Sequence, residues 1–387
     1  MKIDQMLIRE NFYLILKETL ERYYSVVHNT DVVISIKGNS IYKDGCVYPK
    51  INTITTQFPS KNVRDYIFTE FNARNSFVKY LKAKLYTALC LFTGGLMSKK
   101  VIVFKENKPI DKDILIWPCN RKIRIFNFKT GTVDSIIKES FTDRYFKKEV
   151  SFRSNSNYSF VPKISSHGDI WYREELLKGQ PLARVKDECL FAKSRVDVIN
   201  NMKKIVEDTV KHVDVDIYVE KLCKYINELV LEAEKRKNIT TGKNILNAVI
   251  SARKKIKLLP ANIPIAVSHG DLQEGNIWVD TINDKTLIID WETNDYRSIW
   301  YDPATLLLST RSNNGIYNMF LNRKKIETKK AILTNDNDKS YDMEGVIGII
   351  ILEDIVFRLE DNLELQFDWG KENIEDIGKQ LKKIIWE

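Results

Sequence analysis

Near residue 180 the apolar residues of this chain change their spacing, and that change sets what it can fold into. From Lys99 the pattern is strand-like: "KKVIVF", "DILIWP", "RKIRIFNF" and "TVDSIIKE" are β-branched or alternating runs. The turn-prone "KENKP" and "KTG" separate them. A charged helical stretch, "DRYFKKEVSFRS", follows, then strands around "SFVPKI" and "DIWYREELL" that end at the turn "KGQP". Beyond Pro181 nearly eighty residues carry helical spacing, as in "YVEKLCKYINELVLEAEKRK". A sheet followed by helices predicts an α+β, bilobal architecture with a ligand cleft between the lobes. Three regions are expected: residues 1–98 as an N-terminal extension, 99–178 as an antiparallel-sheet lobe, and 179–387 as a mainly helical lobe.

Composition narrows the class of protein. Hydrophobic residues make up 43% and charged residues 29% of the 387, as in ordinary globular chains, so global disorder is excluded. The longest weakly polar run, Leu85 to Met97, is short of the roughly 20 residues that a membrane-spanning helix needs. The first twenty residues place acids inside their apolar stretch and show no small-residue cleavage site, so the expected location is cytoplasmic. Cys46, Cys90, Cys119, Cys189 and Cys223 are scattered without a C-x-x-C pair, which argues against zinc and disulfides. The net charge of +9 tolerates anionic partners, but no nucleic-acid-binding motif accompanies it.

One tripeptide occurs twice, as His167-Gly168-Asp169 and as His269-Gly270-Asp271. After the second, Asn276 follows Asp271 by five residues, and the run "TLIID" ends in Asp290. The segment "NIWVDTINDKTLIID" reads as a hairpin turning at Asn283-Asp284-Lys285, which returns Asp290 to the neighbourhood of Asn276. One amide and one carboxylate oxygen then converge, a donor set suited to Mg2+, which takes hard oxygen ligands and keeps water and phosphate in its shell. Asp271 is left to accept a proton from a hydroxyl. After the first triplet, Glu174 stands where the asparagine would be needed, so that triplet reads as a turn between two strands.

With these residues in place, "HGDLQEGNIWV...LIIDWE" resembles the signature of aminoglycoside phosphotransferases and choline/ethanolamine kinases, which share the protein-kinase-like fold. The resemblance is tight over some 24 residues and loose over about 99–310. It implies a Mg2+-dependent phosphotransferase that moves phosphate from ATP or GTP to a small-molecule hydroxyl: a sugar, amino alcohol, antibiotic or cell-surface glycan precursor. Asp271 would be the catalytic base, Asn276 and Asp290 the metal ligands, and His269 a packing residue of the loop. Asp302 would tether the loop or cap a helix ahead of Pro303, and Glu292 would face the acceptor. Gln273 stands where protein kinases place a lysine, which disfavours a protein acceptor.

On the nucleotide side, the resemblance calls for a strand-borne lysine held by a helical glutamate. Lys138 and Glu149 are the pair expected, with Lys129 or Arg124 as substitutes if the strand register differs. The main chain around Glu175 to Leu177 would meet the base of the nucleotide. No G-x-G-x-x-G or Walker A sequence is present. The alternative reading is a catalytically silent, kinase-shaped binding or scaffold protein.

Overall fold

A computed structural model describes residues 2–38, 43–71, 76–105, 110–308, 310–311, 314–322, 341–365 and 368–384. Most of the turn expected at 105–109 lies outside them. The chain divides into two compact units: Met1–Val150 with Lys163–Leu177, and Ser151–Pro162 with Lys178–Glu387. The first is built on an antiparallel sheet and the second mainly on helices, which is the α+β class expected from the sequence.

The first unit begins with α1 (Ile3–Arg9) and α2 (Phe12–His28). In α2, Phe12, Ile15, Leu16, Thr19, Leu20 and Tyr23 are buried, the three-and-four spacing of an amphipathic helix. Strands β1 (Ile34–Lys37), β2 (Gly45–Tyr48) and β3 (Thr53–Thr55) come next, then α3 (Lys61–Glu70) and α4 (Phe77–Phe92). They are followed by β4 (Lys100–Phe104), β5 (Ile114–Pro118), β6 (Lys122–Asn127), β7 (Thr132–Ile137), α5 (Arg144–Asn155), β8 (Ile164–His167) and β9 (Trp171–Glu175). All nine strands join one sheet in the order β1-β4-β2-β3-β5-β6-β7-β9-β8.

Strand alternation splits the core of this unit in two. Ile116, Ile123, Ile125 and Ile136 face α1 and α2, while Leu115, Phe126 and Val133 face Val63 and Ile67 of α3 and Cys90 and Leu91 of α4. Residues 1–98 thus supply three strands to the sheet and helices to both of its faces, and the boundary expected at residue 98 falls inside this unit. Their strand runs are short and broken by turn residues, so the pairing shows only in the folded sheet.

In the second unit, β10 (Gln180–Pro181) precedes α6 (Glu188–Thr209), β11 (Lys211–Asp214), α7 (Val215–Lys237), α8 (Gly242–Ile256) and β12 (Asn262–Ser268). Side chains of Asp187 and Asp214 cap α6 and α7 by accepting the N–H groups of Leu190 and Ile217. The hairpin β13 (Ile277–Asp280) and β14 (Lys285–Ile288), then β15 (Asp295–Ser298), lead to α9 (Tyr301–Leu308), α10 (Gly315–Leu321), α11 (Met343–Leu363) and α12 (Trp369–Lys382). Helix α11 is apolar along most of its length because α7, α8 and α12 all pack on it. Two three-stranded sheets, β11-β12-β15 and β10-β13-β14, frame the loop between β12 and β13.

Candidate active site

Strand β12 delivers the chain into His269-Gly270-Asp271, and the loop is fixed by its own backbone. The buried carboxylate of Asp302, on α9, accepts the N–H of His269 at 2.6 Å and that of Gly270 at 2.9 Å. These are charge-assisted bonds to two buried donors where the strand ends, the Gly270 N–H also reaching the Ser268 hydroxyl at 3.1 Å. Gly270 is at φ 85°, and a Cβ there would lie 2.4 Å from the Thr293 carbonyl, so only glycine fits. The fully buried His269 ring accepts the Asp271 N–H at Nδ1 (3.2 Å) and lies 2.9 Å from the Ile289 carbonyl at Nε2. Those two partners select the Nε2–H tautomer, and the ring also meets the Trp291 indole edge-on at 4.6 Å.

The expected hairpin forms with Ile277 opposite Ile288, so Asn276 lies beside Ile289 and donors of one strand reach acceptors of the other. The Ile289 N–H bonds the Asn276 carbonyl at 2.9 Å, which brings Asp290 next to Asn276. Asn276 Nδ2 donates to the Asp271 carbonyl (2.9 Å) and to Asp271 Oδ2 (3.1 Å), so its Oδ1 is the atom left for a cation. Asp290 sits at φ 68°, in the left-handed region, between β14 and the turn carrying Trp291. Glu292 is buried in that turn.

The Asp271 carboxylate is held from two sides. Gln273 Nε2 donates to Oδ2 at 3.0 Å, and Arg311 Nε donates to Oδ1 at 2.9 Å. A carboxylate offers about four acceptor positions. Arg311, Gln273 and Asn276 occupy three, which leaves room for one incoming hydroxyl. Arg311 is itself pinned by Asp354 (2.5 Å), the Tyr301 hydroxyl (2.8 Å) and the Gly270 carbonyl (2.7 Å). Burial pushes Asp354 upward, but the guanidiniums of Arg358 and Arg311 outweigh it and hold it below the usual carboxylate range. The sequence gives no sign of Arg311, because its contacts reach forty residues back along the chain.

In the first unit, the expected pair of Lys138 and Glu149 does not form. Lys138 is fully buried and bonds Glu10 at 2.6 Å, just beyond α1. Glu149, on α5, bonds Lys122 of β6 at 2.7 Å and accepts the Tyr172 hydroxyl at 3.1 Å. The reason is register. Lys122 lies directly across the sheet from Ile137, so the two share a face, and the next residue, Lys138, points to the opposite one. Ile137 packs against Phe146 and Val150 of α5 on that face, so Lys122 reaches Glu149 and Lys138 reaches α1. Burial, with Arg9 nearby, pulls the Lys138 ammonium down to about 8 although Glu10 opposes it. Lys129 lies in the exposed turn after β6, and Arg124 bonds Glu174 at 2.7 Å.

The remaining residues fall as follows. Glu175 is exposed at the end of β9 opposite Thr132. The N–H of Leu176 bonds the Gly131 carbonyl (2.9 Å), and the half-buried Leu177 closes this unit's share of the chain. His167, exposed, ends β8 opposite Tyr172, and Asp169 is exposed on the turn to β9, where the Gly168 N–H bonds the Trp171 carbonyl at 2.8 Å.

Residues 228–324 match the sequence model of the phosphotransferase enzyme family (APH), a span that contains the His269-to-Glu292 segment. No curated protein shows significant sequence similarity to the chain. Among solved structures, an ethanolamine kinase of Plasmodium vivax is similar at 15% identity and TM-score 0.44, over 83% of this chain and 95% of that one. A choline kinase from Cryptosporidium parvum matches at 16% identity and TM-score 0.46, over 72% and 90%. An aminoglycoside phosphotransferase from Streptomyces rimosus, in complex with ADP and streptomycin, matches at 12% identity and TM-score 0.41, over 62% and 92%. Among the described residues, no helix is long and apolar enough to cross a membrane.

Proposed function

We propose that this chain is a Mg2+-dependent kinase of a small-molecule hydroxyl, using ATP or GTP as phosphate donor. The observation that carries the reading is the Asp271 carboxylate, held by Asn276, Gln273 and Arg311 with one acceptor position to spare. That position takes the acceptor hydroxyl, and Asp271 receives its proton as the oxygen attacks the terminal phosphorus and the bond to the bridging oxygen breaks, releasing the nucleoside diphosphate. Asn276 Oδ1 and the Asp290 carboxylate are hard oxygen donors on adjacent positions of one hairpin, a set that fits Mg2+. The ion, when bound, neutralises charge on the transferring phosphate. Lys122, held by Glu149, is the lysine suited to contact nucleotide phosphate; Lys138 is fully buried against Glu10 and plays no part in transfer. The main chain at Glu175 to Leu177 contacts the nucleotide base, and Glu292 borders the acceptor site. The family match over 228–324 supports the reaction class, and Gln273, engaged with Asp271, supports a small acceptor over a protein.

Incubating the chain with Mg2+, terminally labelled ATP or GTP and a panel of amino alcohols, sugars and aminoglycosides tests this. Label should appear on one acceptor class. Label on no acceptor, with no nucleotide consumed, would leave the catalytically silent reading. One observation favours that reading: the Arg311 guanidinium on Asp271, which lowers the carboxylate's freedom to reorient.

A further inference from the structure

Among the described residues, one face of helix α4 is largely exposed, and at its end Phe92 meets Arg64 and Phe68 of α3. The buried side chains of α4, Thr87, Cys90 and Leu91, pack into the core shared with α3. On the other side Phe77, Val78, Leu81, Leu85, Leu89 and Phe92 are exposed, Phe77 by 78% and Leu85 by 61%. At 3.6 residues per turn those six fall within an arc of about 120°. The patch continues past the helix. The exposed Leu96 follows, and exposed Phe58 lies against the Gly94 turn, where an added Cβ would meet its ring at 2.9 Å. Single exposed leucines are ordinary on a protein surface, but a continuous stripe along one helix is not.

Charge identifies the partner. From Ser76 to Lys100 the chain holds Lys79, Lys82, Lys84, Lys99 and Lys100 and no aspartate or glutamate. On the helical wheel, Lys82 borders the stripe on one side and Lys84 on the other. Lys79 and Lys82 are exposed and have no ion-pair partner among the described residues. Lys84 is fixed at its edge by the Phe68 carbonyl (2.7 Å). Apolar residues on one side with lysines at both edges describe a helix that lies in the headgroup layer of an anionic bilayer. We infer that α4 docks this protein onto an anionic lipid surface, with the Phe77-to-Phe92 stripe inserted and the lysines on the lipid phosphates. A protein partner recognised through this face would need acidic residues around an apolar groove. A second copy of this chain would bring lysines against lysines.

Flotation of the full chain with vesicles tests the inference. The chain should float with a phosphatidylcholine–phosphatidylserine mixture, and at least about tenfold less with phosphatidylcholine alone. Leu81→Glu with Leu85→Glu should lower partitioning by at least about tenfold while leaving the melting temperature unchanged, since both side chains are exposed. Lys79→Glu with Lys82→Glu should lower it comparably and weaken its salt dependence, each cation near the surface being worth about fivefold. Failure of the native chain to float, or flotation unchanged by the Leu81/Leu85 pair, would overturn the inference. So would a concentration-dependent dimer in sedimentation that the same pair of substitutions abolishes.

Discussion

The chain contains His-Gly-Asp twice, and the two copies differ in everything except their letters. At 167–169 the triplet closes a strand turn: its glycine bonds Trp171, and its histidine and aspartate are exposed. At 269–271 four of the six backbone polar atoms, those of His269 and Gly270, are taken up by residues distant in sequence. Asp302 holds two N–H groups, Ile289 meets the histidine, and Arg311 meets the carboxylate. A tripeptide therefore specifies a tight turn and little else. Its chemistry comes from the residues that surround it in the fold, here a hairpin and two helices.

The largest effect that would break this comparison is on turnover. Asp271→Ala should lower it by roughly 10²–10⁴-fold, as loss of a general base does, and Asp169→Ala should leave it unchanged. Equal effects, in steady-state assays with a responsive acceptor, would erase the distinction between the triplets. The two buried lysines extend the contrast. Lys122→Met should reduce turnover by about 10²–10³-fold, the cost of a lost phosphate-stabilising charge. Lys138→Met should leave turnover within a few-fold, and Glu10 keeps Arg9 as partner at 2.7 Å. The reverse order of activities would restore Lys138 as the phosphate contact.

Asp302→Ala removes the acceptor of two buried N–H groups and should destabilise the second unit by about 3–5 kcal/mol in denaturant unfolding. Removing the exposed Asp169 carboxylate should change stability by less than about 0.5 kcal/mol. A smaller effect follows from Lys138. Its ammonium lies near 8 in the folded chain, below the ordinary 10.5, so the unfolded chain binds the extra proton between those values. Folding stability from this group therefore rises as pH increases from about 8 to about 10.5, by up to roughly 3 kcal/mol. Below pH 8 both states are protonated and the contribution is flat. Lys138→Met should remove the rise, which melting curves against pH would register.

Much of this arrangement was legible before folding because it is local. The step from Asp271 to Asn276, the β-branched run to Asp290 and the turn between them lie within one hairpin, so spacing alone brings them together. Asp302 was legible in part: it lies inside the first turn of α9 rather than capping it ahead of Pro303, and its carboxylate turns back to the loop. Lys122 was not legible. One residue of register decides which face a side chain takes, and the strand pairing that puts Lys122 across from Ile137 is absent from linear sequence. The stretch "DVVISIKG" reads as a strand and forms β1. The pairing of the strands of residues 1–98 was not legible, since their partners lie as far along the chain as β4 and β5. Arg311 belongs with them: its site is assembled from the loop, α9 and α11.

Thermal unfolding with Mg2+ and ATP, compared among the native chain, Asp290→Ala and Asp169→Ala, tests most directly whether the second triplet is a phosphotransfer site. At nucleotide about a hundredfold above its dissociation constant, the native chain and Asp169→Ala should both gain about 2–3 kcal/mol, and only with the metal present. Asp290→Ala should lose that gain. An undiminished gain in Asp290→Ala, or none in the native chain, would contradict the assignment of metal and nucleotide to this loop.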